Sequence, residues 1–304
     1  MFFACKSNLK ENKQIIVFHA GSLSVPFKQI KEQFEKENPQ VEVLLESAGS
    51  VKSARKITDL NRDCDVMASA DYTIIDKMLI PEYTRWNIQF ATNEMAIVFD
   101  EESKYADEIN AQNWHKILLR DDVIFGRSDP NSDPCGYRTL LMTQLAEDYY
   151  NQPELSKKIK TKNQEYIRPK EVDLLALLES NSIDYIFLYR SVAQQHGLKF
   201  ISLPDSINLK NPDLNNHYQK ASVDIPGKEP GTTITQQGQA MVYGITVINN
   251  APNKQLALKF TDFILSDKGQ KILEQNGQPF LKKTDEEYIK FIPEELKHHF
   301  NLKK

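Results

Sequence analysis

The chain has 304 residues, a length that accommodates about two domains of ordinary size. Hydrophobic residues make up 40% and charged residues 26%, as in an ordinary globular protein. The formal net charge of −4 leaves no basic excess, which argues against a general nucleic-acid binder, and no apolar run approaches the roughly 18 residues that cross a bilayer.

The first half of the chain alternates short apolar strands with helices. IIVFHAGS (15–22) predicts a strand that ends in small residues, followed by a helix with its apolar residues on one face. VEVLLESAGS (41–50) and CDVMASAD (64–71) predict a second and a third strand. This βαβαβ order predicts a parallel sheet. Such sheets bind ligands at the carboxyl ends of their strands.

The character of the chain changes after a fourth predicted strand, NEMAIVFD (93–100). A strand and loop lead into DPNSDPCGYR (129–138), and two helices then precede an apolar strand, IDYIFLYRSVA (183–193). A long polar segment (204–240) separates these elements from a last strong strand, MVYGITVI (241–248).

The fourth and the last of these strands bracket the middle of the chain. A chain that crosses twice between two regions predicts two α/β lobes joined by a two-strand hinge, with a cleft between them. We place lobe 1 at 14–97 and 241–304, lobe 2 at 98–240, and an N-terminal tether at 1–13.

Three loops join a strand to a helix N-terminus through small or polar residues. HAGSL supplies Gly21 and Ser22, ESAGSV supplies Ser50, and DPCGYR supplies Pro134 and Cys135. The first N–H groups of a helix have no partner within it, so each loop predicts a cradle for an anion. Serine is also a common N-cap, and one such loop alone is equally compatible with capping. Three loops from three strands favour one shared oxyanion site.

Several longer motifs stand in a single order along the chain: HAGSL, AGSVxxARKITDL, DPCGYR, RPKEVDLLALLES, YRSVAxQHGL and YGITVIxNAPN. From about Ile15 to Phe280 the chain resembles the tungstate- and molybdate-binding proteins of ABC importers, most of all the branch typified by archaeal tungstate-binding proteins. The resemblance implies a type II periplasmic binding protein, in which two α/β lobes hold an oxyanion in the cleft.

The resemblance also implies roles for particular residues. Asp133 and Glu171 match two carboxylates that, in this branch, add to the four oxo groups and make the metal six-coordinate. Tyr189 matches a tyrosine near the oxo groups. Tungsten(VI) and molybdenum(VI) are hard centres that accept oxygen ligands, and the sulfur of sulfate does not expand its shell in this way. The segment between Arg138 and Arg168 is shorter than in the archaeal proteins, so the glutamate assignment rests on the local motif.

The same resemblance implies a cell-envelope protein that delivers tungstate or molybdate to an ABC permease. We expect a monomer that has no cofactor, performs no catalysis and binds no nucleic acid. The start of the chain, MFFAC, followed by a polar stretch, resembles the end of a bacterial lipoprotein signal. We therefore expect a lipid anchor at Cys5 as the sole membrane contact, the alternative being a frayed terminal cysteine.

Without the family context, plainer interpretations of these residues stay open. An aspartate before proline is most often a turn residue, which fits Asp133. Glu171 would be an acid in the first turn of a helix, and Tyr189 a core aromatic. His19 is expected to pack at its strand end, and the pair 298–299 to be solvated.

Two other classes of function also stay open. A phosphatase-like enzyme would use a serine or Cys135, whose place at a helix N-terminus predicts a lowered thiol pKa. However, Leu141 stands where a cysteine phosphatase needs arginine, and no GxSxG, HExxH or P-loop motif occurs. An intracellular oxyanion sensor would need a helix-turn-helix unit or a basic patch, and the sequence shows neither.

Overall fold

The computed structural model describes residues 13–227, 229 and 231–300. Within these residues, two sheets of six and five strands and one two-stranded hairpin are surrounded by helices, which confirms the predicted α/β class. No helix in this part of the chain is long and apolar enough to cross a bilayer. Cys5 lies outside the described residues, and its lipid anchor stays a prediction.

The strands and helices are numbered here in chain order. The strands are β1 Lys13–His19, β2 Val41–Ser47, β3 Val66–Ser69, β4 Ile88–Thr92, β5 Met95–Phe99, β6 Phe125–Ser128, β7 Ile167–Arg168, β8 Tyr185–Tyr189, β9 Lys199–Ser202, β10 Ser222–Pro226, β11 Thr233–Gln237, β12 Val242–Val247 and β13 Phe280–Lys283. The helices are α1 Ser24–Glu37, α2 Ser50–Thr58, α3 Tyr72–Ile74, α4 Trp114–Leu118, α5 Pro134–Tyr150, α6 Leu155–Thr161, α7 Leu175–Glu179, α8 Arg190–Gln195, α9 Asp205–Asn208, α10 Asn215–Tyr218, α11 Lys254–Leu265, α12 Asp267–Gln275, α13 Glu286–Ile289 and α14 Glu294–Lys297.

The first sheet has the strand order β13-β4-β12-β3-β1-β2. β1 runs parallel to both β2 and β3, which confirms the predicted βαβαβ unit. The other half is antiparallel, because β12 returns from the second sheet and pairs with β3 on one side and β4 on the other. The carboxyl ends of β1, β2 and β3 thus share one edge of this sheet, as predicted for the ligand site.

The second sheet has the order β7-β6-β8-β5-β9. β5 pairs along its whole length with β8 and over its last four residues with β9, so it belongs to this sheet and not to the first. The predicted lobe boundary after residue 97 therefore falls inside β5, and the chain passes between the sheets before Met95. The boundary was misplaced because the sequence did not reveal β4, which lies just upstream of β5 and belongs to the first sheet.

Three further elements differ in detail from their predictions. The strand predicted at 183–193 ends at Tyr189, because α8 begins at the next residue. The helix predicted in RPKEVDLLALLES opens as a 3-10 turn, Glu171–Leu174, before α7. The polar segment 204–240 is folded: it contains two short helices and the β10–β11 hairpin.

Candidate functional site

The residues predicted for the site come together where the two sheets face each other, and all of them are buried. They are Gly21, Ser22, Ser50, Asp133, Pro134, Cys135, Glu171 and Tyr189. A Cβ atom placed on Gly21 would lie 2.8 Å from Oε2 of Glu171, so the first loop lies directly against the glutamate. A Cβ atom on Gly49 would lie 2.2 Å from the carbonyl oxygen of Ser132, so the second loop lies against the residue before Asp133.

The two acids form the centre of this group. Asp133 is the N-cap of α5, yet its side chain makes no capping bond to that helix. Its Oδ2 instead accepts a 3.0 Å hydrogen bond from the backbone N–H of Glu171. The other aspartate oxygen, Oδ1, and both carboxylate oxygens of Glu171 have no hydrogen-bond partner. These three buried carboxylate oxygens therefore make no well-formed hydrogen bond to the protein, although Ser22 lies close enough to Glu171 to favour its ionised form.

Burial governs the charge of both acids. It raises the pKa of Asp133 well above its ordinary value, and the neighbouring Glu171 carboxylate raises it further. Burial also raises the pKa of Glu171, although the nearby Asp133 and Ser22 favour its ionised form. Two adjacent buried carboxylates with few donors are costly to ionise together. A positive or electron-poor centre between them would offset that cost.

A chain of hydrogen bonds ends at Ser22. The Nδ2 of Asn93 donates to the hydroxyl of Tyr243 at 2.8 Å, and that hydroxyl donates to Oγ of Ser22 at 2.9 Å. Because Ser22 accepts in this bond, its own hydroxyl hydrogen is left to donate elsewhere. The residue that starts this chain, Asn93, lies at the crossing between the two sheets.

Two further hydroxyls are held in the same way. Oγ of Ser50 accepts a 3.0 Å hydrogen bond from the N–H of Ala70, and the hydroxyl of Tyr189 accepts one of 3.1 Å from Nη1 of Arg138. Neither hydroxyl donates to another residue that the structure describes. Ser22, Ser50 and Tyr189 are therefore three buried hydroxyls that can donate to a ligand, two of them in the first sheet's loops and one in the second sheet.

The contacts of Cys135 contradict the sequence-based expectation for its thiol. Its Sγ lies 3.6 Å from the carbonyl oxygen of Phe187 inside the core. Burial, with the Asp133 and Glu171 carboxylates adding to it, raises the thiol pKa well above its ordinary value. The predicted lowered pKa is therefore wrong, because two acids and an apolar core outweigh the helix N-terminus.

The serines also lack a histidine base. The hydrogen-bond partners of Ser22 and Ser50 include a tyrosine, a glutamine side chain and a backbone N–H, and the Glu171 carboxylate also lies beside Ser22. His19 hydrogen-bonds the carbonyl of Ala20, and burial lowers its pKa to about 4. No imidazole in the described part of the chain is bonded to either serine.

A buried network that the sequence reading did not identify joins the two sheets beside this group. Asp71, just after β3, accepts a 2.7 Å hydrogen bond from the hydroxyl of Tyr137 and lies 3.5 Å from Nη2 of Arg138. Nη1 of the same arginine donates to the carbonyl of Ala70 at 2.7 Å. Gln236, in β11, also donates to Asp71 at 3.3 Å. The only sequence signal for Asp71 was its position in the SAD that ends the third predicted strand.

Comparison with known proteins gives three kinds of match. A family profile described as "Bacterial extracellular solute-binding protein" matches residues 15–278. An "Uncharacterized solute-binding protein" of Petrotoga mobilis is 53% identical over 267 residues, covering 86% of this chain and 82% of that protein. A "Molybdate/tungstate-binding protein WtpA" of Pyrococcus abyssi is 45% identical over 294 residues, covering 88% of this chain and 84% of that protein.

Solved structures agree on the fold. The Azotobacter vinelandii periplasmic molybdate-binding protein has a TM-score of 0.62 at 16% identity, covering 87% of this chain and 98% of its own. The sulfate-binding protein SubI of Mycobacterium tuberculosis scores 0.61 at 13% identity, covering 88% and 86%. Because one fold serves two anions, the fold does not identify the ligand.

Proposed function

The chain belongs to the bacterial extracellular solute-binding proteins, and from that membership we propose that it captures tungstate or molybdate and delivers it to an ABC-transporter permease. The two relatives named for molybdate and tungstate are 44–45% identical to it across most of its length. Their printed names supply the ligand class, and the site residues supply the physical argument for it.

One observation carries the proposal: three carboxylate oxygens of Asp133 and Glu171 that make no well-formed hydrogen bond lie in the same buried group as three hydroxyls that accept bonds from the protein. A simple anion site would contain donors only, because a carboxylate repels an oxyanion. A tetra-oxo anion of a hard metal can bind the hydroxyls and the carboxylates at the same time. Its oxo groups accept from the hydroxyls, and its electron-poor centre accepts carboxylate oxygens as further ligands.

The same arrangement supplies a reason for discrimination against sulfate. Sulfate would meet the hydroxyls equally well but would gain nothing from the acids. The acids would then have to be protonated or remain as buried, unpaired charges. We therefore propose that Asp133 and Glu171 select for the metal oxyanions, and that Ser22, Ser50 and Tyr189 orient them.

We propose a binder without catalytic activity. The Cys135 thiol is held in its neutral form by a raised pKa, and neither serine is bonded to an imidazole. These features argue against an activated cysteine or a serine–histidine pair of the kind that a phosphatase-like mechanism would use. Action as a monomer at the cell envelope, and contact with a permease, follow from the family and are part of the proposal.

Calorimetric titration of the tag-free protein with tungstate, molybdate, sulfate and phosphate tests the proposed function. We expect tight, stoichiometric uptake of the two metal oxyanions and much weaker uptake of the other two. Equal affinity for sulfate would contradict the ligand assignment. Incubation with phosphate esters is the companion assay, and turnover there would favour the enzyme alternative.

A further inference from the structure

A second cluster of polar side chains lies near the end of the described chain, on elements that supply no residue to the oxyanion site. His298 and His299 were predicted to be solvated. That prediction is wrong for His299, whose side chain is only 6% exposed, whereas that of His298 is 63% exposed. The difference arises because the last 3-10 turn folds back towards α11 and places the second imidazole beside Asp262 of that helix.

Both imidazoles converge on a single oxygen atom. Nε2 of His299 lies 2.7 Å, and Nε2 of His298 3.3 Å, from Oδ1 of Asp262. The two rings are tilted by 36° with their centroids 4.0 Å apart, and the three potential ligand atoms all lie within 4.8 Å of one another. Ligand atoms around a tetrahedral zinc ion, bonded at about 2.0–2.1 Å, lie roughly 3.3 Å apart, so small side-chain movements suffice.

We propose that Asp262, His298 and His299 form a binding site for a divalent transition-metal ion such as Zn²⁺. Two imidazole nitrogens and one carboxylate oxygen are the donors that zinc, nickel and copper accept, whereas magnesium and calcium require oxygen ligands. The exposure of His298 leaves one side of the site open to water. The site is therefore an exchangeable surface site and not a closed structural one.

One neighbouring group opposes metal binding. Nζ of Lys282 lies 3.3 Å from Nδ1 of His299. When Nε2 of this histidine binds a metal, Nδ1 carries the hydrogen and needs an acceptor, which an ammonium group cannot be. Lys282 also adds a positive charge beside the ion. Replacing it by glutamine would provide an acceptor and remove the charge, so this variant is expected to bind the metal more tightly.

Binding would also link two parts of the fold. Asp262 belongs to α11, and the histidines belong to the last described turn, so a bound ion joins that turn to the helix. A ligand that binds only the folded arrangement raises its thermal stability. Zinc should therefore raise the Tm of the native protein more than it raises that of a variant without the histidines.

The test is a zinc titration by calorimetry on the full chain without a histidine tag. All measurements use an Asp133→Asn/Glu171→Gln background, which keeps the two cleft acids out of the signal. We expect saturable binding with one ion per chain. Affinity should fall by about tenfold or more in His299→Ala and in Asp262→Asn. It should be unchanged in His196→Ala, an exposed histidine outside the cluster, and should increase in Lys282→Gln.

His298→Ala is the second variant, because this side chain is 63% exposed and its removal leaves the buried core untouched. Weaker zinc binding in this folded variant supports the site even where His299→Ala is unstable. Absence of saturable zinc binding to the background protein overturns the proposal. Equal affinity in His298→Ala, Asp262→Asn and the background protein overturns it as well.

Discussion

At the scale of single residues, the candidate site is organised by the direction of its hydrogen bonds. Ser22, Ser50 and Tyr189 each accept a bond from a protein donor, which turns the hydroxyl hydrogen towards another acceptor. Hydroxyls held in this way before a ligand arrives would lose little side-chain freedom on binding.

The two serines can be tested singly. Ser22→Ala and Ser50→Ala each remove one hydrogen bond to a charged group, worth about 1.5–3 kcal/mol. We expect tungstate affinity to fall roughly ten- to a hundred-fold while the far-ultraviolet circular dichroism stays unchanged. Tungstate affinity equal to that of the native protein in both variants would remove these loops from the site.

The role of the acids is tested by near-isosteric amides. If Asp133 and Glu171 bind the metal centre, the variant Asp133→Asn/Glu171→Gln should bind tungstate more weakly and lose part of its preference over sulfate, because amides are poorer ligands. If the acids only repel oxyanions, the same variant should bind every oxyanion more tightly.

X-ray absorption at the tungsten edge distinguishes coordination by the acids from simple repulsion directly. We expect six oxygen neighbours in the native complex and four in the variant, and a four-coordinate native complex would disprove coordination.

Proton release on binding is an independent test of the role of Asp133 and Glu171. Burial raises the pKa of both Asp133 and Glu171, so the ligand-free pair retains protons to higher pH than free carboxyls do. Binding as anions must release those protons. Tungstate affinity is thus expected to increase as the pH rises towards the raised pKa values and to level off above them.

This release is measurable by calorimetry at one pH in buffers of different ionisation enthalpy. The native protein should show a heat of tungstate binding that depends on the buffer, and the double amide variant should show none. A native heat that is independent of the buffer would mean that the acids are already ionised or stay protonated on binding.

At the scale of elements, helix N-termini bring the site together. α2 and α5 begin at Ser50 and Pro134, and the loop before α2 lies against the loop before α5. The closeness depends on glycine: a Cβ atom at Gly49 would approach the Ser132 carbonyl to 2.2 Å. A backbone atom cannot yield as a side chain can, so no larger residue fits this approach.

Gly49→Ala should therefore oppose the approach of the two loops. Forcing an extra methyl group into a packed contact costs about 1–3 kcal/mol, and we expect tungstate affinity to fall by a corresponding factor. Lys52→Ala is the matched control, because this residue lies in the same helix with an exposed side chain. If Gly49→Ala binds as tightly as Lys52→Ala, the contact between the loops is not needed for binding.

At the scale of the whole molecule, the two sheets are held together by buried polar contacts. Asp71, on the first sheet, is bonded to Tyr137 and paired with Arg138 on α5. Both members of the ion pair are almost fully buried. Losing one partner of a buried pair costs about 3–5 kcal/mol, because the other charge is left uncompensated. This network therefore favours the arrangement in which the sheets are close.

We expect this network to govern closure on the ligand. X-ray scattering should give a smaller radius of gyration for the native protein with tungstate than without it. In Asp71→Asn, compaction should require a higher tungstate concentration, because Arg138 loses its charge partner. Asp224→Asn, an exposed aspartate of the hairpin, is the control. Identical native curves with and without saturating tungstate would show that the cleft is already closed and that the two-strand hinge does not move.

The sequence by itself determined the local elements of this protein. Alternation of strand and helix predicted the parallel unit of β1, β2 and β3, and the small-residue loops indicated Ser22 and Ser50. The motifs around Asp133 and Glu171 indicated two acids, because family motifs preserve residue type and immediate neighbours. These features are encoded within short segments, where periodicity and turn chemistry are decided by adjacent residues.

Only the tertiary structure decided the relations between distant segments. It showed the antiparallel half of the first sheet, the pairing of Asp71 with Arg138 and the burial of His299 beside Asp262. It also reversed the expected pKa shift of Cys135. The physical reason is common to all four: hydrogen-bond direction, desolvation and charge pairing depend on which groups meet in space. Those contacts are set by the packing of the two sheets, and no local pattern in the sequence encodes them.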